Sequence, residues 1–81
     1  MNKTVVVRYF AILREQRGLA EEEISTAAAT AREIYEELRG LHGFSLPASR
    51  LRVAVNDEFG PWDSEVRSGD ALAFLPPVAG G

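Results

Sequence analysis

The residues best suited to chemistry in this 81-residue chain are its last two, Gly80 and Gly81. Glycine has no Cβ, so a narrow channel can close around its backbone, and an attacking group meets no side chain beside the terminal carbonyl. A terminal carboxylate is ionised at neutral pH and is a poor acyl donor until one oxygen becomes a leaving group, for instance in an acyl-adenylate. We therefore predict that an ATP-using partner activates the carboxylate of Gly81.

The residues before Gly81 are suited to presenting this terminus. Two prolines fix φ and push the residues before them towards extended conformations, so the chain should leave the domain stiffly. Small residues follow, and four extended residues reach about 14 Å, enough to cross the wall of a partner's active site. The alternative is a frayed end without a role. The segment predicted to thread into a partner comprises Pro76, Pro77, Val78, Ala79 and Gly80.

The composition argues against several other chemistries. The chain has no cysteine, so it can have no disulfide, thiolate nucleophile or cysteine-ligated metal. Its one histidine, His42, lacks spaced ligands, and we predict no metal site. A net charge of −3 argues against nucleic-acid binding. No apolar run approaches the roughly 20 residues that span a bilayer, and the chain starts directly with a strand-like pattern. We expect a cytoplasmic protein without membrane contact, whose partner is another protein.

The hydrophobic patterns predict an α+β domain over residues 1–75, in which a sheet of four to five strands grips one main helix, followed by a flexible, extended tail over residues 76–81. The second strand should be a charged edge strand, and the last should be buried on both faces. The three glutamates of the edge strand are interpreted as a solvated face. Strands are predicted over residues 3–10, 21–26, 51–55, 58–59 and 71–75.

Local signals fix the ends of the helices and turns. A short helical turn over residues 11–17 should end at Gly18, and Asn56-Asp57 should form a hairpin turn. Thr30 followed by Glu33 fits a capping box at the start of the main helix. Gly40 and Gly43 are predicted at its end, and Trp62 is predicted to plug the core. The apolar stripe of this helix comprises Ala31, Ile34, Tyr35, Leu38 and Leu41.

The sequence also resembles the MoaD family, the sulfur-carrier small subunits of molybdopterin synthase, which are related to ThiS and have a ubiquitin-like β-grasp fold. The resemblance covers nearly the whole chain, and its most specific part is the terminal block. The matching residues are Phe10-Ala11, Arg14-Glu15, Thr30, Glu33, Leu38, Ala54-Val55-Asn56, Gly69-Asp70, Ala73-Phe74, Pro76-Pro77-Val78 and Gly80-Gly81.

The resemblance implies a sulfur donor that is not itself catalytic. An E1-like enzyme of the MoeB type would adenylate Gly81 with ATP, and a sulfurtransferase would supply sulfur to give a C-terminal thiocarboxylate. The tail would then enter the large subunit, of the MoaE type, in a heterotetramer. There the sulfur would pass to cyclic pyranopterin monophosphate and form the dithiolene of molybdopterin. No cofactor would be bound permanently.

The resemblance further implies that Phe10, Phe59 and Leu75 form an apolar docking surface beside the tail, although each could equally be ordinary core. Surface arginines are common and contribute little alone, so no role is predicted for Arg14, Arg50 or Arg52. Three alternatives stay open. They are a sulfur carrier for thiamine or cysteine synthesis, a ubiquitin-like modifier that joins its terminus to lysines, and a binding module whose terminus is incidental.

Overall fold

A computed structural model describes residues 2–77 and shows a mixed five-stranded sheet with a long helix against one face. The predicted α+β class is therefore confirmed. Within these residues, no helix has the length and apolar content needed to cross a membrane. In chain order the elements are β1 Lys3–Tyr9, α1 Ala11–Arg17, β2 Glu21–Thr26, α2 Ala31–His42, β3 Arg52–Val55, β4 Glu58–Gly60 and β5 Ala71–Leu75, with one 3₁₀ turn at Ala48–Arg50.

The sheet order is β2-β1-β5-β3-β4, with β1 and β5 parallel and every other pair antiparallel. The predicted edge position of β2 is confirmed. Since β1 and β5 run in the same direction, their carboxyl ends meet at one edge of the sheet, where Tyr9 pairs with Phe74. At the opposite end of β1, the Nζ of Lys3 donates a hydrogen bond of 2.8 Å to the carbonyl of Val66.

The two central strands β1 and β5 turn alternate residues towards α2, as the period of two requires. Val5, Val7 and Tyr9 of β1 are buried, and so are Leu72 and Phe74 of β5. The prediction that β5 is buried on both faces is wrong. Its other three residues, Ala71, Ala73 and Leu75, are only half-buried, because α2 covers one face of the sheet and leaves the other open.

The start of α2 follows the predicted cap. The Thr30 hydroxyl oxygen accepts a hydrogen bond from the backbone N–H of Glu33. The Glu33 carboxylate accepts from the Thr30 hydroxyl at 3.1 Å, whereas the predicted box has it accept from the Thr30 backbone. Gly43 ends the helix at φ +69°, and Gly40, predicted at the end, lies within the helix. The predicted left-handed Gly18 after α1 is also confirmed, at φ +82°.

An aromatic cluster fills the space between α2 and the sheet. The Tyr35 ring lies 5.0 Å from that of Phe74 and 5.8 Å from that of Trp62, so the predicted core position of Trp62 is confirmed. The predicted place of Leu41 in the apolar stripe is wrong, since this residue is 76% exposed. Phe44, just beyond the helix, packs on Tyr35 and occupies the core at this end instead.

Candidate functional site

The chain leaves the sheet where β5 ends at Leu75, as predicted for the start of the proline pair. Pro76 is half-buried and Pro77 is exposed. Val78, Ala79, Gly80 and Gly81 lie outside the described residues. The threading role of Pro76 and Pro77, the activated Gly81 and the division into residues 1–75 and 76–81 therefore stay predictions.

Strand pairing brings two of the predicted docking residues to this exit. Tyr9 pairs with Phe74, and Phe10 follows Tyr9 in extended backbone, so strand alternation places Phe10 level with Leu75 on the face of the sheet away from α2. Phe10 is 41% exposed and Leu75 is half-buried. The alternative that both are ordinary core therefore does not hold for Phe10.

Phe59 lies on the same face, at the far side of β3. It pairs with Ala54, which pairs in turn with Ala73 of β5, so one row of residues crosses three strands. The Phe59 ring is 55% exposed and is not part of the core. All three predicted docking residues thus share one surface, and their contact with a partner stays a prediction. We call this surface the open face, and it comprises Arg8, Phe10, Arg52, Ala54, Phe59, Ala73 and Leu75.

Two arginines lie among the apolar residues of the open face. The Arg52 guanidinium carbon lies 4.1 Å from the centroid of the Phe59 ring, a cation–π contact that fixes the direction of both side chains. Arg8 pairs with Glu21 of β2 at 2.9 Å and reaches Asp57, in the β3–β4 turn, at 3.9 Å. Because β5 lies between β1 and β3, the second of these ion pairs passes over β5.

The exit is supported from the core side by a partly buried polar network. Glu22 accepts a hydrogen bond of 2.6 Å from the Tyr9 hydroxyl and two, of 2.8 and 2.9 Å, from the guanidinium of Arg17. The Arg17 hydrogen bonds lower the pKa of Glu22 from 4.5 to about 2, aided by the Tyr9 hydrogen bond. Burial, followed by the nearby Glu22 carboxylate, raises the pKa of Tyr9. The network ties β1, α1 and β2 together just before Phe10.

The interpretation of all three edge glutamates as a solvated face is wrong for Glu22, whose side chain is only 16% exposed. It lies on the α2 side of β2, alternating with Glu21 and Glu23. Strict alternation along β2 could have placed Glu22 inward. Whether the Tyr9 hydroxyl reaches Glu22, however, depends on the register of β1 against β2, which a single sequence does not give.

A second clamp fixes the start of β5. The predicted hairpin turn is confirmed, with Asn56 and Asp57 at φ +52° and +70°. The Asn56 side-chain amide donates to Asp70 at 3.0 Å, and its oxygen accepts from the Ala71 N–H at 2.9 Å. Asp70 also accepts from the Arg67 backbone N–H, and these two hydrogen bonds lower the pKa of Asp70. Ala71, the first residue of β5, is therefore held in place by the side chain of Asn56, which Asp70 in turn orients.

Comparison with known proteins identifies the relationship. The ThiS family model matches residues 7–81, which is most of the chain. The chain belongs to the ThiS family. This ThiS-family chain is similar to the molybdopterin synthase sulfur carrier subunit of Haemophilus influenzae, with 36% identity over 78 residues that cover 93% of this chain and 96% of the relative.

Solved structures of two proteins have folds similar to that of this ThiS-family chain. SAMP1 from Haloferax volcanii is 26% identical with a TM-score of 0.78, covering 96% of this chain and 99% of that one. A complex of subunits 1 and 2 of the molybdopterin-converting factor from Helicobacter pylori contains a chain that is 26% identical with a TM-score of 0.64, at 96% and 99% coverage. The predicted ubiquitin-like β-grasp fold is therefore confirmed.

Proposed function

We propose that this chain is the sulfur carrier subunit of a molybdopterin synthase and carries sulfur as a thiocarboxylate on Gly81. The similarity to the Haemophilus influenzae subunit across 93% of the chain is the observation that supports this most directly. The family match extends to residue 81 and so includes the two terminal glycines. Phe10 and Phe59 are exposed on the face of the sheet that the end of β5 shares, which fits a subunit that docks while its tail enters a partner.

Activation requires a better leaving group than oxide at the Gly81 carbonyl. We propose that a carboxylate oxygen attacks the α-phosphate of ATP in an activating enzyme of the MoeB type, which releases pyrophosphate and forms the acyl-adenylate. A persulfide on a sulfurtransferase then attacks the adenylated carbonyl and displaces AMP, and a thiol cleaves the S–S bond of the resulting acyl disulfide, which leaves the thiocarboxylate on Gly81 and a disulfide as the other product. ATP is thus a substrate of the partner and not a resident of this chain. The need for ATP favours a cytoplasmic location.

Sulfur transfer then takes place in the active site of a large subunit of the MoaE type. The Helicobacter pylori relative is in complex with subunit 2 of its converting factor, which supports a partner of this class. In the proposed complex the open face docks, and Pro76 and Pro77 direct the tail inwards. The thiocarboxylate sulfur attacks cyclic pyranopterin monophosphate, and water then cleaves the bond between the sulfur and the Gly81 carbonyl, which leaves the sulfur on the substrate and returns the carboxylate. We propose a heterotetramer of two small and two large subunits.

Intact-mass analysis of the protein purified from its native cells tests the proposal. We expect a species in which one oxygen is replaced by sulfur, and fragmentation should place the sulfur at Gly81. A variant that lacks Gly81 should carry no such species and should melt at the same temperature, because the core is untouched. If cells under demand for molybdenum cofactor yield only the unmodified mass, the carrier function is refuted.

A second candidate is a protein modifier. The similarity to SAMP1, a small archaeal modifier protein, favours it. In that case Gly81 should be found in isopeptide linkage to lysines of other proteins in cell extracts. A carrier for thiamine or cysteine synthesis remains the alternative within the sulfur-transfer class. Identifying the large protein that copurifies with the chain distinguishes these pathways.

A further inference from the structure

The open face combines apolar residues with two arginines. Arg52 pairs with Leu75 across β3 and β5, and its guanidinium rests on the exposed Phe59 ring at 4.1 Å. Arg8 pairs with Ala73 across β1 and β5 and extends over β5 towards Asp57. Both cations therefore border the apolar row of the open face, although the whole chain has a net charge of −3.

The present ion pairs of Arg8 are easily exchanged. The Arg8 side chain is about half exposed, and so is that of Glu21, while Asp57 is almost fully exposed. Exposed ion pairs of this kind contribute little to stability. A carboxylate on a docking partner can therefore take the place of Glu21 or Asp57 without disturbing the fold.

Arginine is the cation best suited to such an interface. Its guanidinium is planar, stacks on aromatic rings and binds carboxylates with two parallel hydrogen bonds, and it is less strongly hydrated than an ammonium group. When an apolar partner surface covers Phe59, the stacked Arg52 loses water with the ring. A partner carboxylate next to it then compensates for the lost hydration, whereas a partner cation at that point is rejected.

From this arrangement we infer that Arg8 and Arg52 determine which partner docks, and that the open face fits a protein surface whose apolar patch is bordered by two carboxylates. The two arginines lie two strand spacings apart across the sheet and two residues apart along it, so their Cα atoms are about 12 Å apart. The inference rests on the proposed function, since the large subunit is the first partner to which it applies. It also changes the interpretation of Arg52, for which the sequence predicted no role.

The experiment uses the full chain and the purified large subunit from the same organism. Arg8→Glu and Arg52→Glu are compared with Arg32→Glu, which makes the same charge change on α2, where Arg32 pairs with Asp63 at 3.6 Å. We expect each open-face variant to weaken the Kd by about tenfold or more, mainly through kon at low salt, and Arg32→Glu to stay within twofold. The salt dependence of the Kd should fall only in the open-face variants.

Rescue separates recognition from a structural effect. Circular dichroism melts should show that all three variants keep the wild-type fold, because the substituted residues are exposed. Changing one interfacial carboxylate of the large subunit to lysine should restore binding to Arg8→Glu or Arg52→Glu and weaken it for wild type. The inference is overturned if wild type binds tightly and both open-face variants bind within twofold of it. If wild type does not bind the large subunit and carries no thiocarboxylate, the proposed function itself is refuted.

Discussion

Replacing Glu22 with glutamine tests how the exit of the tail is supported. The Glu22 carboxylate accepts one hydrogen bond from the Tyr9 hydroxyl and two from the Arg17 guanidinium, through Nε and Nη2. It is mostly buried between β1, α1 and β2. Glutamine keeps the size of the side chain and can still accept from the Tyr9 hydroxyl. It removes the negative charge that Arg17 faces, and its amide nitrogen cannot accept one of the two Arg17 hydrogen bonds, so the variant tests the charged pairing of Glu22 with Arg17.

The expected loss follows from the pKa of Glu22, which is lowered from 4.5 to about 2 in the folded state. This difference corresponds to at most about 3 kcal/mol of folding free energy at neutral pH. Solvent near the partly exposed Arg17 screens the interaction, so we expect a loss of about 1 to 2 kcal/mol in Glu22→Gln. Because the folded pKa is depressed, the contribution of Glu22 is complete above pH 4.5 and is lost as the pH falls towards 2.

Urea unfolding followed by the fluorescence of Trp62, the only tryptophan, measures this difference. At pH 7 wild type should exceed Glu22→Gln by about 1 to 2 kcal/mol, and at about pH 2 most of this difference should be gone. Glu23→Gln is the matched control, since Glu23 is the exposed neighbour on the opposite side of β2, and it should differ from wild type by about 0.5 kcal/mol or less. An equal loss for Glu22→Gln at both pH values, or equal stability of the two variants at pH 7, would refute the reasoning.

Three further outcomes are expected. Phe59→Ala should weaken binding to the large subunit by about tenfold or more in titration calorimetry, and it should lower the melting temperature by only a few degrees. Phe74→Ala should instead lower the free energy of unfolding in urea by about 3 to 5 kcal/mol. Asn56→Ala should cost about 2 kcal/mol in the same assay, because it breaks the clamp on Asp70 and leaves alanine at φ +52°, and Asn56→Gly should cost less. One residue added after Gly81 should abolish sulfur loading by intact mass without changing the melting temperature, and a lowered melting temperature would contradict this.

Most of the fold follows from local signals in the sequence. The alternation of Val5, Val7 and Tyr9 placed β1, and Gly18 and Gly43 marked helix ends because only glycine adopts a left-handed conformation without strain. Leu41 was misplaced because helical periodicity continues to the last turn, while the core at that end is completed by Phe44 from the next segment. The periodicity of a helix does not show that a residue outside it, here Phe44, fills the core position expected for Leu41.

The site was less accessible to sequence reasoning. Phe10, Phe59 and Leu75 came from the family resemblance, since nothing local shows that three separate segments share one face. The contact of Arg52 with Phe59 depends on the register of β3 against β4, and the Tyr9 to Glu22 hydrogen bond depends on that of β1 against β2. Register is set by the whole sheet, so interactions between strands emerge only with the structure.

The hydrogen bond between Lys3 and the carbonyl of Val66 bears on what an activated terminus can react with. Lys3 is the only lysine of the chain, and the other eight of its nine basic side chains are arginines. A guanidinium stays protonated and does not attack acyl groups, whereas an amine does. The single ammonium group is held at 2.8 Å by its carbonyl partner, about 20 Å along β1 from the edge where the tail leaves. If Gly81 is activated as proposed, each further copy of the chain offers it one side-chain amine, so linkages between copies through side chains are restricted to Lys3.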